Sequence, residues 1–151
     1  SPVAHACHGI DTALPLFFFF PFFFDFFLFT SFVTRRYVFT TDRFGNPGVQ
    51  VFATPALIGL LEEVALTCVA PTLAEGQATV GTQVNIEHLA ATPVGMTVTA
   101  RAQLVEIDGR RLVFNVEARD EREPIARGTH QRFIINSMAK FLQRAQDKAK
   151  T

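Results

Sequence analysis

Val51-Phe-Ala-Thr-Pro-Ala-Leu-Ile-Gly-Leu-Leu-Glu-Glu-Val-Ala-Leu-Thr-Cys-Val-Ala-Pro71 is the stretch from which the fold can be read. Its pattern predicts one helix, with Thr54 as the N-cap and Pro55 in the first turn, where a missing N–H costs nothing. From Ala56 to Ala70 the helix is apolar on nearly every side, and a helix of that kind is normally wrapped by other elements. Glu62 and Glu63 in its middle then need a partner or a task, because a carboxylate taken out of water is costly by itself.

The wrapper follows downstream. Thr79–Leu89 alternates, placing Val80, Thr82, Val84, Ile86 and His88 on one face and Gln83, Asn85 and Glu87 on the other. Met96, Val98, Ala100, Ala102 and Leu104 make a second apolar face, and Asp108-Gly109 is a hairpin signal. Leu112, Phe114, Val116 and Ala118 form a third, and a turn at Glu121–Pro124 leads to a last strand over Ile125–Asn136. Ser137–Lys150 reads as a short, basic, amphipathic helix anchored by Phe141 and Leu142. A first strand ahead of the helix is expected at Tyr37–Thr41. An antiparallel meander with one apolar face needs a cover and the apolar helix needs a wrapper, so the expectation is an α+β fold with the sheet curled around one central helix.

The 151 residues suit one domain. Fourteen Lys and Arg balance fourteen Asp and Glu, which argues against a nucleic-acid partner. Cys7 and Cys68 are too few for a disulfide framework, so a reducing, cytoplasmic setting is expected. His5, Cys7 and His8 lie close together but are only a weak metal signal, and no metal site is expected.

Residues 1–34 differ from the rest. They hold no Lys or Arg, and thirteen of the chain's 17 Phe fall between Phe17 and Phe44. Leu14–Val33 is long enough to cross a bilayer, but Pro15 and Pro21 interrupt it, and Asp25 would cost roughly 2.5–3.5 kcal/mol at mid-membrane. A secretory signal would carry a basic start, which is lacking here. Phe, Leu, Ser and Pro can all be written with pyrimidine-only codons, and the chain starts at Ser1 without Met, so the favoured reading is a translated pyrimidine tract or a non-native end. Membrane association is expected only if residues 14–33 are a real anchor. The folded domain is accordingly placed at 35–151.

Three strings go further than pattern. Val51-Phe-Ala-Thr-Pro-Ala-Leu-Ile-Gly-Leu-Leu-Glu62, Val80-Gly-Thr-Gln-Val-Asn-Ile-Glu-His88-Leu-Ala-Ala-Thr-Pro-Val-Gly95 and Gly128-Thr-His-Gln-Arg132 resemble, in this order, motifs of the fluoroacetyl-CoA thioesterase-like family, whose members have the hot-dog fold. The resemblance covers roughly Val49 to Phe141. It implies hydrolysis of an acyl-CoA thioester, a homodimer with its active sites at the subunit interface, and no cofactor beyond the CoA of the substrate. Carried over by motif, the catalytic set is Thr54, Glu62 and His88.

The chemistry of those residue types fits. Hydrolysing a thioester takes a nucleophile or positioned water, a base, and donors for the developing oxyanion. Glu62 in an apolar helix is a base or nucleophile, His88 closes an apolar strand face, and unpaired N–H groups at the helix start offer an oxyanion site. Each residue also has a plainer role: Thr54 a helix cap, Glu62 a structural partner of His88, His88 a satisfied strand histidine. Glu63, about 100° around the helix from Glu62, reads as solvated or partner-facing. Gly81, His130 and Arg132 are candidate substrate-binding residues, with His130 and Arg132 either lining the CoA path or serving as structural hydrogen-bonding groups. The region before Val49 does not align with the family, so fluoroacyl selectivity is not carried over. Two other readings stand beside hydrolysis. One is a hot-dog enoyl-CoA hydratase or dehydratase, for which Phe44-Gly-Asn-Pro47 supplies an Asn-Pro without the acid and His such enzymes pair. The other is a non-catalytic module that binds an acyl thioester.

Overall fold

The structure, a computed structural model, describes residues 29–36, 41–44 and 46–150. Its strands are β1 (Thr30–Arg36), β2 (Ala78–His88), β3 (Thr97–Asp108), β4 (Arg111–Arg119) and β5 (Pro124–Ile135). The helices are α1 (Thr54–Val69) and α2 (Met138–Asp147). All strand pairs are antiparallel, in the order β1–β3–β4–β5–β2, which leaves β1 and β2 at the two edges.

The apolar residues of the sheet pack on α1. Leu57, Leu60, Leu61, Val64, Ala65 and Cys68 of the helix meet Val98, Ala100 and Ala102 of β3 and Phe114 and Val116 of β4 in one buried cluster. Each large side chain buried there is worth about 1.5–3 kcal/mol of transfer free energy. The β3–β4 connection is the tight hairpin foreseen at Asp108-Gly109, with Asp108 opposite Arg111 and Gly109 at φ 58°. The other side of α1 is less covered: Gly59 and Leu66 are exposed and Ile58 half-buried. A helix apolar all round is thus wrapped on one side by the rest of the described chain.

Several expectations need correction. The first strand runs over Thr30–Arg36, where Phe32 pairs Arg101 and Arg35 pairs Val98. Of the stretch expected to form it, Tyr37–Thr40 lie outside the described residues, and Thr41 begins a 3-10 turn that ends at Phe44. Residues 30–34, set apart from the domain by their neighbours' composition, therefore belong to the sheet: Thr30, Val33 and Thr34 are β-branched, and an edge strand asks for no more than that. The Phe-rich run up to residue 28 and the His5–Cys7–His8 group lie outside the described residues. The helix proper is shorter than 51–71. Its N-cap is Ala53, which gives no side-chain bond, and Thr54 is already helical.

The remaining difference lies in β2. Gly81 pairs Arg132 and Gln83 pairs Gln131, so Thr82 is an extra residue in a β-bulge. Strict alternation would keep Val80 and Thr82 in phase with Val84, Ile86 and His88. The bulge instead puts Thr79 and Gly81 on the same face as those three, because Gly81 and Val84 lie opposite Arg132 and His130, two residues apart on β5.

Candidate active site

Thr54 is placed by the chain on either side of it. The Phe52 N–H donates to the Thr92 carbonyl at 2.8 Å, and Val51 makes a bridge to Pro93. Thr92 is anchored in turn, its hydroxyl donating at 2.9 Å to Oδ2 of buried Asp120. Oδ1 of Asp120 accepts the N–H groups of Arg122 and Glu123 at 2.8 and 2.9 Å. Burial alone would raise the Asp120 pKa, but these donors outweigh it and hold the carboxyl below its ordinary value. The start of α1 is thereby tied to the β4–β5 turn.

The Thr54 hydroxyl is not spent on capping. Its Oγ1 lies 2.8 Å from Nδ1 of His88, the last residue of β2. Nε2 of His88 is buried and is the one such side-chain polar atom among the described residues with no hydrogen-bond partner. Burial lowers the His88 pKa, and the nearby Ala90 backbone, which favours the protonated ring, opposes that only in part, so the ring is neutral at pH 7. A neutral ring can accept the Thr54 proton on Nδ1 while presenting an Nε2–H donor. A hydroxyl beside a base is the arrangement that activates an oxygen nucleophile.

Glu62 lies two turns further along α1, half-buried, facing Gly81. A Cβ at Gly81 would stand 2.2 Å from Oε1 of Glu62 and 3.2 Å from Cε1 of His130. Glycine at this position lets the carboxylate lie against the strand, and this is the role the geometry gives Gly81. His130 is fully buried. Its Nδ1 is 2.9 Å from the Gln83 carbonyl and its Nε2 3.3 Å from Nη1 of Arg132. Arg132, only 5% exposed, donates from Nε to Thr79 Oγ1 and from Nη2 to the Thr79 carbonyl, both at 2.9 Å. Burial lowers the pKa of both residues. Glu63 is ion-paired with Arg35 of β1, which accounts for the second acid of the helix.

The six residues therefore form two groups. Thr54 and His88 make one, and Glu62, Gly81, His130 and Arg132 the other. Eight residues of α-helix separate Thr54 from Glu62, about 12 Å along the axis. A groove of about 570 Å³, lined in part by Phe32, Thr99, Arg101 and Arg119, includes none of the six. Arg132 and His130 take the structural hydrogen-bonding role that was one of the two expected of them, whereas the Asp120 lock was not foreseen. The sequence signals for Arg132 were the Gly128–Arg132 string and its place with His130 on a strand face of small residues.

Comparison with known proteins bears on the family and the fold. The model of the family "FlK: Fluoroacetyl-CoA-specific thioesterase" matches residues 34–138. A fluoroacetyl-CoA thioesterase from Streptantibioticus cattleyicolor is 40% identical over 99 residues, spanning 66% of this chain and 70% of the relative. A variant of the fluoroacetyl-CoA thioesterase FlK solved with fluoroacetate superposes with a TM-score of 0.75 at 32% identity, covering 79% of this chain and 95% of that one. A thioesterase superfamily member from Thermus thermophilus has a TM-score of 0.71 at 24% identity, covering 82% of this chain and 94% of that one, which bears on the fold alone. The chain has the hot-dog fold and belongs to the fluoroacetyl-CoA-specific thioesterase family of thioester hydrolases.

Proposed function

We propose that this protein hydrolyses an acyl-CoA thioester to the free acid and CoA, with Thr54, Glu62 and His88 as its catalytic set. The observation that carries the reading is the Thr54 Oγ1–His88 Nδ1 contact of 2.8 Å beside an unpartnered Nε2. His88 takes the Thr54 proton as Thr54 Oγ1 attacks the thioester carbonyl, and first-turn N–H groups of α1, which have no intrahelical acceptors, face the oxyanion that forms; the C–S bond then breaks and the proton on His88 goes to the leaving CoA thiolate. Glu62 takes a proton from the water that cleaves the acyl-Thr54 ester and releases the acid; in the alternative, Glu62 is itself the nucleophile, CoA leaves as the thiol and water hydrolyses the acyl-Glu62 anhydride.

The working unit is a homodimer with its sites at the subunit interface. About 12 Å of helix keeps Glu62 from reaching the carbonyl held at Thr54 of its own chain. The exposed edge of β2 and the uncovered Gly59–Leu66 side of α1 offer a partner its place, bringing one protomer's Glu62 toward the other's Thr54–His88 pair. Gly81, His130 and Arg132 then flank the substrate through Glu62. No cofactor beyond the substrate's CoA is required, and the setting is cytoplasmic.

Thiol release from a panel of acyl-CoAs tests this. Glu62→Gln and His88→Ala should each lower turnover by about 100-fold or more, the low end for loss of a general base, while the protein stays folded. Wild-type rates in both would overturn the assignment.

A further inference from the structure

The turn after β4 holds both members of the Thr54–His88 pair, each through a separate contact. Asp120 closes that turn. Its N–H donates to the Glu123 carbonyl at 3.0 Å, and its Oδ1 takes the N–H groups of Arg122 and Glu123. On the His88 side, the N–H of the next residue, Leu89, donates at 2.8 Å to the carbonyl of Ile125, where the turn has become β5. On the Thr54 side, Oδ2 of Asp120 takes the Thr92 hydroxyl at 2.9 Å. The Thr92 carbonyl in turn takes the N–H of Phe52 at 2.8 Å, just ahead of Thr54.

The Thr92–Asp120 bond is the side-chain part of this suspension, and it is built in the interior. Thr92 is 1% exposed and Asp120 7%. A hydroxyl and a carboxylate taken this far out of water are costly unless they bond each other, and a hydrogen bond to a charged acceptor is short and directional. The bond therefore fixes the loop that follows His88 against the turn, and with it the backbone that enters α1. The contact it serves tolerates little error, since a 1 Å misplacement in a catalytic site can cost about 100-fold in rate.

We propose that Thr92 and Asp120 are positioning residues of the hydrolysis, their buried bond setting the Thr54 hydroxyl within reach of His88. They act through Thr54 and touch no part of the substrate. This rests on Thr54 being catalytic, as argued above.

The test is a double-mutant cycle on kcat and KM for acyl-CoA hydrolysis by the full chain, with Thr92→Val and Thr54→Ala as its arms. Thr92→Val removes the hydroxyl but leaves Asp120 its two backbone donors. In the otherwise unchanged chain it should lower kcat at least about tenfold and leave KM within about twofold. In the Thr54→Ala background no hydroxyl remains to be aimed, and the further loss should stay under about twofold. A general loosening of the fold would multiply the two losses instead. Thr92→Ser, which keeps the hydroxyl, should hold kcat within about threefold of wild type. Should Thr92→Val not fold, Asp120→Asn takes its place in the cycle, with a loss of at least about threefold in the unchanged chain and under about twofold beside Thr54→Ala. Unchanged kcat in the folded variant, or the same loss in both backgrounds, overturns the inference. A Thr54→Ala chain with the wild-type rate would instead overturn the reading beneath it.

Discussion

Thr54 Oγ1 lies 2.8 Å from Nδ1 of His88 although 34 residues separate them in the chain. The contact exists because Ala53, not Thr54, occupies the cap position, so the hydroxyl is not drawn to the N–H groups of its own helix. Thr54→Ser should keep most of the activity, whereas Thr54→Ala should lose about 100-fold in kcat. Both are read as thiol release at saturating acyl-CoA. Equal rates in Ala and Ser would remove the hydroxyl from the mechanism.

Gly81 gives a sharper probe. Its backbone does not have a positive φ, so alanine fits the strand, and the added Cβ meets only the mobile end of Glu62 and the edge of His130. Gly81→Ala should therefore unfold at nearly the wild-type urea concentration while kcat falls about 100-fold, the scale of a 1 Å misplacement of a catalytic group. A stability loss with unchanged kcat would make Gly81 a packing residue.

Asp120 anchors Thr92 and two backbone N–H groups. Asp120→Ala leaves all three donors unpaired and should cost about 2–4 kcal/mol in urea unfolding at pH 7. The folded pKa lies below the ordinary 3.8. The stabilisation from the charged form is thus complete above that value and is lost as pH falls through the folded pKa. The gap between wild type and variant should narrow on acidification below pH 3.8. A gap independent of pH would mean that the carboxylate charge contributes nothing.

His88 and His130 are both held neutral by burial, below the ordinary value of 6.5. The unfolded chain takes up their protons first, so stability is full above about pH 6.5 and declines as pH drops toward the folded values. The urea midpoint should fall between pH 7.5 and 5.5, and His130→Phe should flatten part of that slope. An identical slope in the variant would contradict the assignment.

Much of this fold is legible in the chain because its elements follow a single period. The run after Pro55 could only be a core helix, and β3 as far as Leu104 and β4 alternate cleanly. Thr54, Glu62 and His88 were found by motif, and the structure pairs two of them. What escaped has physical reasons. β1 sits beside a Phe-rich run whose composition masks it, and as an edge strand it carries little alternation. The Arg35–Glu63 ion pair joins elements far apart in sequence. Asp120 looks like any turn aspartate until the fold brings Thr92 to it.

The extra residue at Thr82 has a consequence for the tolerance of this gene to insertions and deletions. A one-residue change of register turns every following side chain of a strand to its other face. Thr82 is the exception: deleting it leaves six positions between Gly81 and His88, an even interval, so simple alternation keeps both on the face they now share and β2 loses only its bulge. Deleting Asn85 while the bulge stays would instead turn His88 away from Thr54 and should abolish activity even where the sheet still forms.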